Sequence, residues 1–283
     1  MWNAPEWWAS YLARRAGVPY LISPRGMLQP QAMRRSRRRK AAAFALFDRR
    51  NLEGAALLHA TSDQEAEALR ALDFGVRIAV VPNGVDLRSA QEASGGYRGR
   101  LGIPAGAFVV LFLGRMHRIK RLDLLADAFA SARATHPDLH LVLAGHDEDR
   151  LLPDLLKRLN HDVEQVHVLG TIDGADKWAL LRDADVMVQC SDSESFGLSV
   201  VESLTSGVPV IATRTCPWGE LEARGCGLWV EQTAPAIAAA IRVLADHPAR
   251  RAAMGARAAE VARDHYSWDA IAPQMVRLYA DLA

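Results

Sequence analysis

The amino-acid sequence predicts a doubly wound α/β fold, and three observations carry that prediction. Short β-branched runs alternate with longer helix-patterned segments from one end of the chain to the other. The short runs are continuously apolar rather than alternating, the pattern of strands buried on both faces of a parallel sheet. The chain has 283 residues, 50% of them hydrophobic and 24% charged. That composition excludes a collagen, a disordered tail protein and a polytopic membrane protein. The length suits about two domains of roughly 150 residues each.

Taken in order, a helix over 6–16 leads to a strand over 18–23 (VPYLIS). A helix over 39–52 leads to a strand over 57–61 (LLHAT), and one over 63–72 to a strand over 78–82 (IAVVP). The turn Pro82-Asn83-Gly84 follows. Residues 87–106 then hold Ser94-Gly95-Gly96, Gly99, Gly102 and Pro104 and read as a linker, where a domain boundary is expected. Beyond it come strands over 108–114, 139–145, 166–170, 186–191, 208–213 and 228–231. Helices over 122–134, 151–159, 175–182, 198–205, 236–245, 249–263 and 268–282 alternate with them and close the chain. Residues 88–267 can therefore build a complete Rossmann-like sheet, while residues 1–87 contribute three strands.

No apolar run approaches the roughly 20 residues of a membrane span. The opening MWNAPEWWASYLARR has no basic region followed by an apolar one, so no signal peptide is expected. Cys190, Cys216 and Cys226 are an odd set without CxxC spacing, which points to reduced thiols in a cytosolic protein and away from disulfides or zinc. The net charge of +1 hides an asymmetry: residues 1–50 carry 11 basic and 2 acidic groups, the rest 23 and 31. The basic excess centres on Arg34, Arg35, Arg37, Arg38, Arg39 and Lys40. This run reads either as a solvated helix start or as a patch for an anionic surface, such as phospholipid headgroups or a phosphorylated lipid. No stacking platform or nucleic-acid motif accompanies it, so nucleic acid is not an expected partner.

Two strand ends carry polar clusters. The run 109–113 ends in Gly114 and then presents Arg115 and Lys120 at its C-terminal edge, where open α/β sheets bind ligands. Gly allows close approach of a ligand to the backbone, Arg grips phosphate oxygens bidentately, and Lys adds a point charge. The plain alternative is two cations solvating a loop. The second cluster runs from Ser191 through Glu194 and Phe196 to Gly197, which opens the helix carrying Leu198 and Glu202. A helix N-terminus offers free N–H groups and partial positive charge to an anion. A carboxylate at Glu202 could accept bonds from a ribose diol; the alternative is a solvated surface acid.

Together these features resemble the retaining family 4 glycosyltransferases. The matching residues are Gly114-Arg115 with Lys120, then Glu194 and Glu202 eight apart around Phe196-Gly197-Leu198, then Gly207-Val208-Pro209-Val210. Pro82-Asn83-Gly84-Val85-Asp86, Leu143-Ala144-Gly145, Val168-Leu169-Gly170 and Tyr266-Ser267-Trp268 are also similar to family segments. The likeness covers essentially the whole chain. It implies a GT-B fold of two Rossmann-like domains, the N-terminal one incomplete, with residues 268–283 crossing back to join residues 1–87. It also implies a nucleotide-diphosphate sugar donor and no metal ion or other cofactor. By position, Arg115 and Lys120 would hold the donor diphosphate and stabilise the leaving group, aided by the amides of Gly197 and Leu198. Glu202 would take the ribose hydroxyls, Glu194 the donor sugar, and the segment from Gly170 to Ile172 would lie beside the base. Retention is viewed in the family as front-face displacement, with a donor phosphate oxygen taking the acceptor proton.

Some features depart from the family. Arg121 stands where Gly usually follows the Lys, and would crowd the phosphates slightly. Arg25 stands where many relatives have a His. It suits a sugar or phosphate contact or a plain structural role, but not a general base. The chain begins at what looks like the middle of the N-terminal domain. His146-Asp147-Glu148-Asp149 reads first as a solvated loop, with His146 a candidate for lining the cleft. Trp2, Trp7 and Trp8 read as a buried helix stripe. His136 and His140 straddle Pro137 and cannot share a helix face. Neither Gly-x-Ser-x-Gly nor a complete Walker A motif occurs. The expected activity is transfer of a sugar to a lipid-linked or saccharide acceptor at the cytoplasmic membrane face, in cell-surface polysaccharide or lipopolysaccharide assembly. The alternatives are a truncated nucleotide-sugar-binding protein without transfer activity and a GT-B sugar-nucleotide epimerase or hydrolase.

Overall fold

The structure, a computed structural model, describes residues 1, 4–34, 37–92, 94–159 and 164–282, with the backbone only at 34, 37–39, 89 and 91. Trp2, Arg35 and the side chains of Arg34, Arg37, Arg38 and Arg39 thus lie outside the described residues. Two compact units form. The first holds Met1–Gly84, Ser193–Phe196 and Asp269–Ala283; the second holds Val85–Asp192 and Gly197–Trp268.

In the first unit three parallel strands lie in chain order, β1 (Leu21–Ile22), β2 (Leu57–Ala60) and β3 (Ile78–Val80). The middle strand, β2, is buried throughout, and its alternation divides it between two apolar layers. Leu58 and Ala60 pack with Leu28, Leu52, Ala66, Leu69 and Phe74. Leu57 packs with Val81 against Ile271 and Leu278, which lie seven apart on one face of the helix Trp268–Ala280. The helix Asp63–Arg70 starts at Ser62, whose hydroxyl accepts from Glu65 N–H at 3.2 Å. The buried Glu65 carboxylate accepts from Gly26 N–H at 2.5 Å, Thr61 N–H at 2.8 Å and Thr61 Oγ1 at 2.7 Å.

Of the expected Trp stripe, Trp7 and Trp8 are not buried. The helix Ala4–Ala16 has no buried residue and Trp8 is 63% exposed. Trp7 is satisfied sideways: it stacks on Phe47 with ring centroids 4.4 Å apart and donates to Asp48 Oδ1 at 3.0 Å. The single helix expected over 39–52 is three pieces, Arg37–Ala43, a π turn Phe44–Asp48, and Arg49–Glu53.

The second unit is a six-stranded, all-parallel sheet of β4 (Phe108–Leu113), β5 (Leu139–Ala144), β6 (Val166–Leu169), β7 (Val186–Gln189), β8 (Val210–Thr213) and β9 (Gly227–Val230). Its order is β6-β5-β4-β7-β8-β9, the doubly wound order of a dinucleotide-binding sheet. Phe108, Val110 and Phe112 face a core with Leu125 and Phe129 of the helix Leu122–Arg133 and Ile237 and Ile241 of the helix Ala234–Asp246. Val109 and Leu111 point to the other face and are also buried. Residues 87–106 do not behave as a free linker: they include the helices Leu87–Glu92 and Tyr97–Arg100 and belong to this unit. Arg98 rivets them, donating to Asp185 Oδ2 at 2.5 Å, the Asp183 carbonyl at 2.9 Å and the Ala107 carbonyl at 2.6 Å.

Candidate functional site

The sheet order reverses between β4 and β7, and the C-terminal ends of these two strands are where open sheets of this order bind ligands. Both polar clusters arise there. β4 runs straight into Gly114 and Arg115, and β7 runs by way of Cys190-Ser191-Asp192 toward the helix Leu198–Thr205.

The turns after β4, β5 and β6 lock together. Gly114 has φ +151° and Gly145 φ +142°. A Cβ on Gly145 would sit 1.9 Å from the Gly114 carbonyl, so only glycine fits where the two turns abut. The Gly145 N–H donates to the Gly170 carbonyl at 3.0 Å. Three of the glycines singled out at strand ends thus form one rim.

Arg115 is 70% exposed on this rim and forms an ion pair with Glu148. Lys120 ends the short turn Arg118–Lys120, and its carbonyl accepts from Cys190 Sγ at 3.3 Å. Asp192 N–H donates to the Ile119 carbonyl at 2.8 Å, so the Lys120 turn is fastened to the end of β7. Arg121 has φ +53°, a left-handed backbone that glycine takes most easily. Its guanidinium is engaged by two neighbouring acids. It is held by Asp123, with Nη2 to Oδ2 at 2.9 Å, and by Asp192 Oδ1 at 3.0 Å. Those bonds, Asp123 first, raise the Arg121 pKa above its ordinary range. Burial alone would raise the Asp123 carboxyl, but the bonds from Arg121 outweigh it and keep that group low.

The helix Leu198–Thr205 begins at Gly197, φ +88°, and no side chain caps it. Leu198 is 49% exposed. Glu202 is mostly buried and forms an ion pair with Lys177 Nζ at 2.6 Å. Lys177 lies on the helix Gly174–Asp183, just after Ile172, and its ammonium also sits 4.8 Å from the Trp178 ring centroid. Sequence spacing could not show this pair, because its members are 25 residues apart on different helices.

The loop 146–149 is structural rather than merely solvated. Asp147 accepts from the N–H groups of Leu151 at 2.8 Å and Leu152 at 3.1 Å. Asp149 accepts from Arg118 N–H at 2.8 Å, which is the first cause holding its carboxyl below the usual range. His146 is exposed, and its carbonyl accepts from Met116 N–H at 2.8 Å. His140 is paired with His167 of the next strand, Nδ1 to Nε2 3.0 Å, and His136 with Asp246 at 2.8 Å. Among the described residues no group of three or more His, Cys, Asp or Glu is arranged to hold a metal ion.

Glu194 belongs to the first unit, where its carbonyl accepts from Gln29 Nε2 at 3.2 Å. The Ser195 carbonyl accepts from Ser62 Oγ at 2.8 Å. Arg25 is in the same unit, with φ +53° and a hydrogen bond to Asn83 Oδ1. Among the described residues no helix is long and apolar enough to cross a membrane.

Comparison with known proteins agrees with this architecture. Residues 96–261 match the family described as Glycosyl transferases group 1, and residues 2–84 match the Glycosyl transferase 4-like domain. The D-inositol 3-phosphate glycosyltransferase of Kineococcus radiotolerans is 35% identical over 265 residues, 84% of this chain and 60% of that protein. The protein of the same name from Arthrobacter sp. is 33% identical over 95% of this chain and 66% of its own length. The chain therefore spans less than two thirds of these curated relatives. Among solved structures, sucrose-phosphate synthase from Thermosynechococcus elongatus superposes with TM-score 0.82 at 26% identity, over 98% of this chain and 72% of that one. Anabaena Alr3699/HepE in complex with UDP and glucose gives TM-score 0.81 at 22% identity, over 96% and 74%. With its parallel α/β units of the GT-B class, the chain belongs to the glycosyl transferases group 1 family.

Proposed function

We propose that the chain is a retaining glycosyltransferase that moves a sugar from a nucleotide-diphosphate donor to a lipid-linked or saccharide acceptor, without a metal ion. One observation carries this reading: Arg115, the Lys120 turn and the uncapped start of the helix Leu198–Thr205 all arise at the ends of β4 and β7, where the sheet order reverses. Such an edge suits a diphosphate, with Glu202 at the ribose and the segment from Gly170 to Ile172 at the base. Charge develops on the departing diphosphate, so fixed cations and helix amides directed at it accelerate cleavage of the sugar–phosphate bond. Glu194 is assigned to the donor sugar, and Arg25 and His146 to sugar or acceptor contact. The excess of basic groups in residues 1–50 suits an anionic acceptor or membrane surface and a place at the cytoplasmic membrane face in polysaccharide assembly. The names of the curated relatives and of the synthase also favour testing a phosphorylated acceptor.

Calorimetric titration of the full chain with nucleoside diphosphates and their sugars tests the donor assignment. Glu202→Ala and Lys120→Ala should each weaken binding about tenfold or more, the effect of losing a charge-assisted contact. Unchanged binding in both would sink the reading. Product analysis with lipid-linked, free and phosphorylated saccharide acceptors then separates transfer, which needs the acceptor, from epimerisation or hydrolysis, which do not.

A further inference from the structure

The loops after β4 and β5 bring an acid to Arg115. Met116 N–H donates to the His146 carbonyl at 2.8 Å, Glu148 N–H donates to the Met116 carbonyl at 3.2 Å, and Met116 and Asp147 form a parallel bridge. The turns that carry the two loops abut directly at Gly114 and Gly145. Of the three acids in the β5 loop, Asp147 is engaged by the amides of Leu151 and Leu152, and Asp149 by Arg118. The carboxylate of Glu148 is the one turned to Arg115.

We propose that Glu148 is the built-in counter-ion of Arg115: it competes with the donor diphosphate for the guanidinium and so sets how firmly the site holds a nucleoside diphosphate. The inference rests on the reading of Arg115 as a diphosphate grip. A diphosphate that takes the Arg115 fork must either displace Glu148 or sit beside a like charge, and both lower its affinity. When the nucleoside diphosphate remains as product, the carboxylate re-forms its pair and speeds departure. Glu148 is thus a positioning residue that acts through Arg115 and favours release over tight holding.

The test is calorimetric titration with UDP and GDP of the full chain, Glu148→Gln, Arg115→Gln and the double variant, at low and high ionic strength. Glu148→Gln should tighten binding about twofold to fivefold, the range an exposed ion pair spans. The gain should shrink as salt screens the pair and vanish in the Arg115→Gln background. Glu148→Asp, with its charge retained on a shorter arm, should fall between and guards against a folding defect in the Gln variant. Equal or weaker binding by both Glu148 variants overturns the inference, as does a gain that persists without Arg115. If Glu202→Ala weakens wild-type binding while Glu148→Gln changes nothing, only the counter-ion role fails. If no nucleotide binds any variant, the donor reading falls and this inference with it.

Discussion

Glu65 shows how one side chain can organise a unit. Its carboxylate ties the turn at Gly26 to the start of the helix Asp63–Arg70. Glu65→Ala takes this partner from the buried Thr61 N–H and the part-buried Gly26 N–H, while Thr61 Oγ1 keeps the Ser195 carbonyl, and should cost about 3 kcal/mol. Hydrogen exchange should show it as faster exchange over β2 and the following helix. His59 is also buried, between Ser23 Oγ at 3.0 Å and the Val81 carbonyl at 2.8 Å. Burial is the leading cause that lowers its pKa, and the same is true of His140 and His167. The unfolded chain then binds protons near the ordinary value of 6.5 that the folded chain refuses. Stability is full above that pH and falls below it. Thermal melts across this range should show the decline, and His59→Gln should flatten part of it. Neither role was legible in the sequence, because Glu65 and Gly26 are 39 residues apart and no local spacing joins them.

At the scale of elements, the strands were the legible part. All nine expected strands form, and the continuous apolar runs suit best the central β2, β4, β7 and β8, which are buried throughout. The helices of 87–106 were not legible, because Gly and Pro mark turns without saying whether the turns are anchored. The anchor is Arg98, whose partners Asp183 and Asp185 lie 85 and 87 residues on. The two cation and carboxylate clusters could be read at strand ends, but their partners Glu148 and Lys177 could not, as each sits on a different element. The rim of glycines allows a paired prediction. Gly145→Ala forces the Gly114 backbone to move and should disrupt the rim, with reduced stability and weaker nucleotide binding by calorimetry. Gly170→Ala meets no protein atom within 4 Å and should be mild in stability.

At the scale of the molecule, the sequence indicated a Rossmann-like sheet in the larger part of the chain, and the order β6-β5-β4-β7-β8-β9 supplies it. The boundary expected at residue 87 rests on the Gly and Pro of residues 87–106, and the joining of 268–283 to residues 1–87 on the family likeness. The two units part between Gly84 and Val85, and the first also takes in Ser193–Phe196 and Asp269–Ala283. All three cysteines are buried, and burial pushes the Cys226 thiol up to about 11. The native chain should therefore resist thiol reagents at neutral pH until it unfolds, which a timed labelling experiment can read. Deleting 269–283 should uncover Leu57 and Val81, and hydrogen exchange should quicken in β2 while β4 and β5 keep their protection. The helix that covers Leu57 and Val81 has a further consequence during synthesis. The ribosome makes the first unit's sheet before the second unit and the covering helix after it, so that face waits while the whole second unit emerges and can fold. Of the two units, the first is thus completed after the second, and its apolar face at Leu57 and Val81 stays open in the interval.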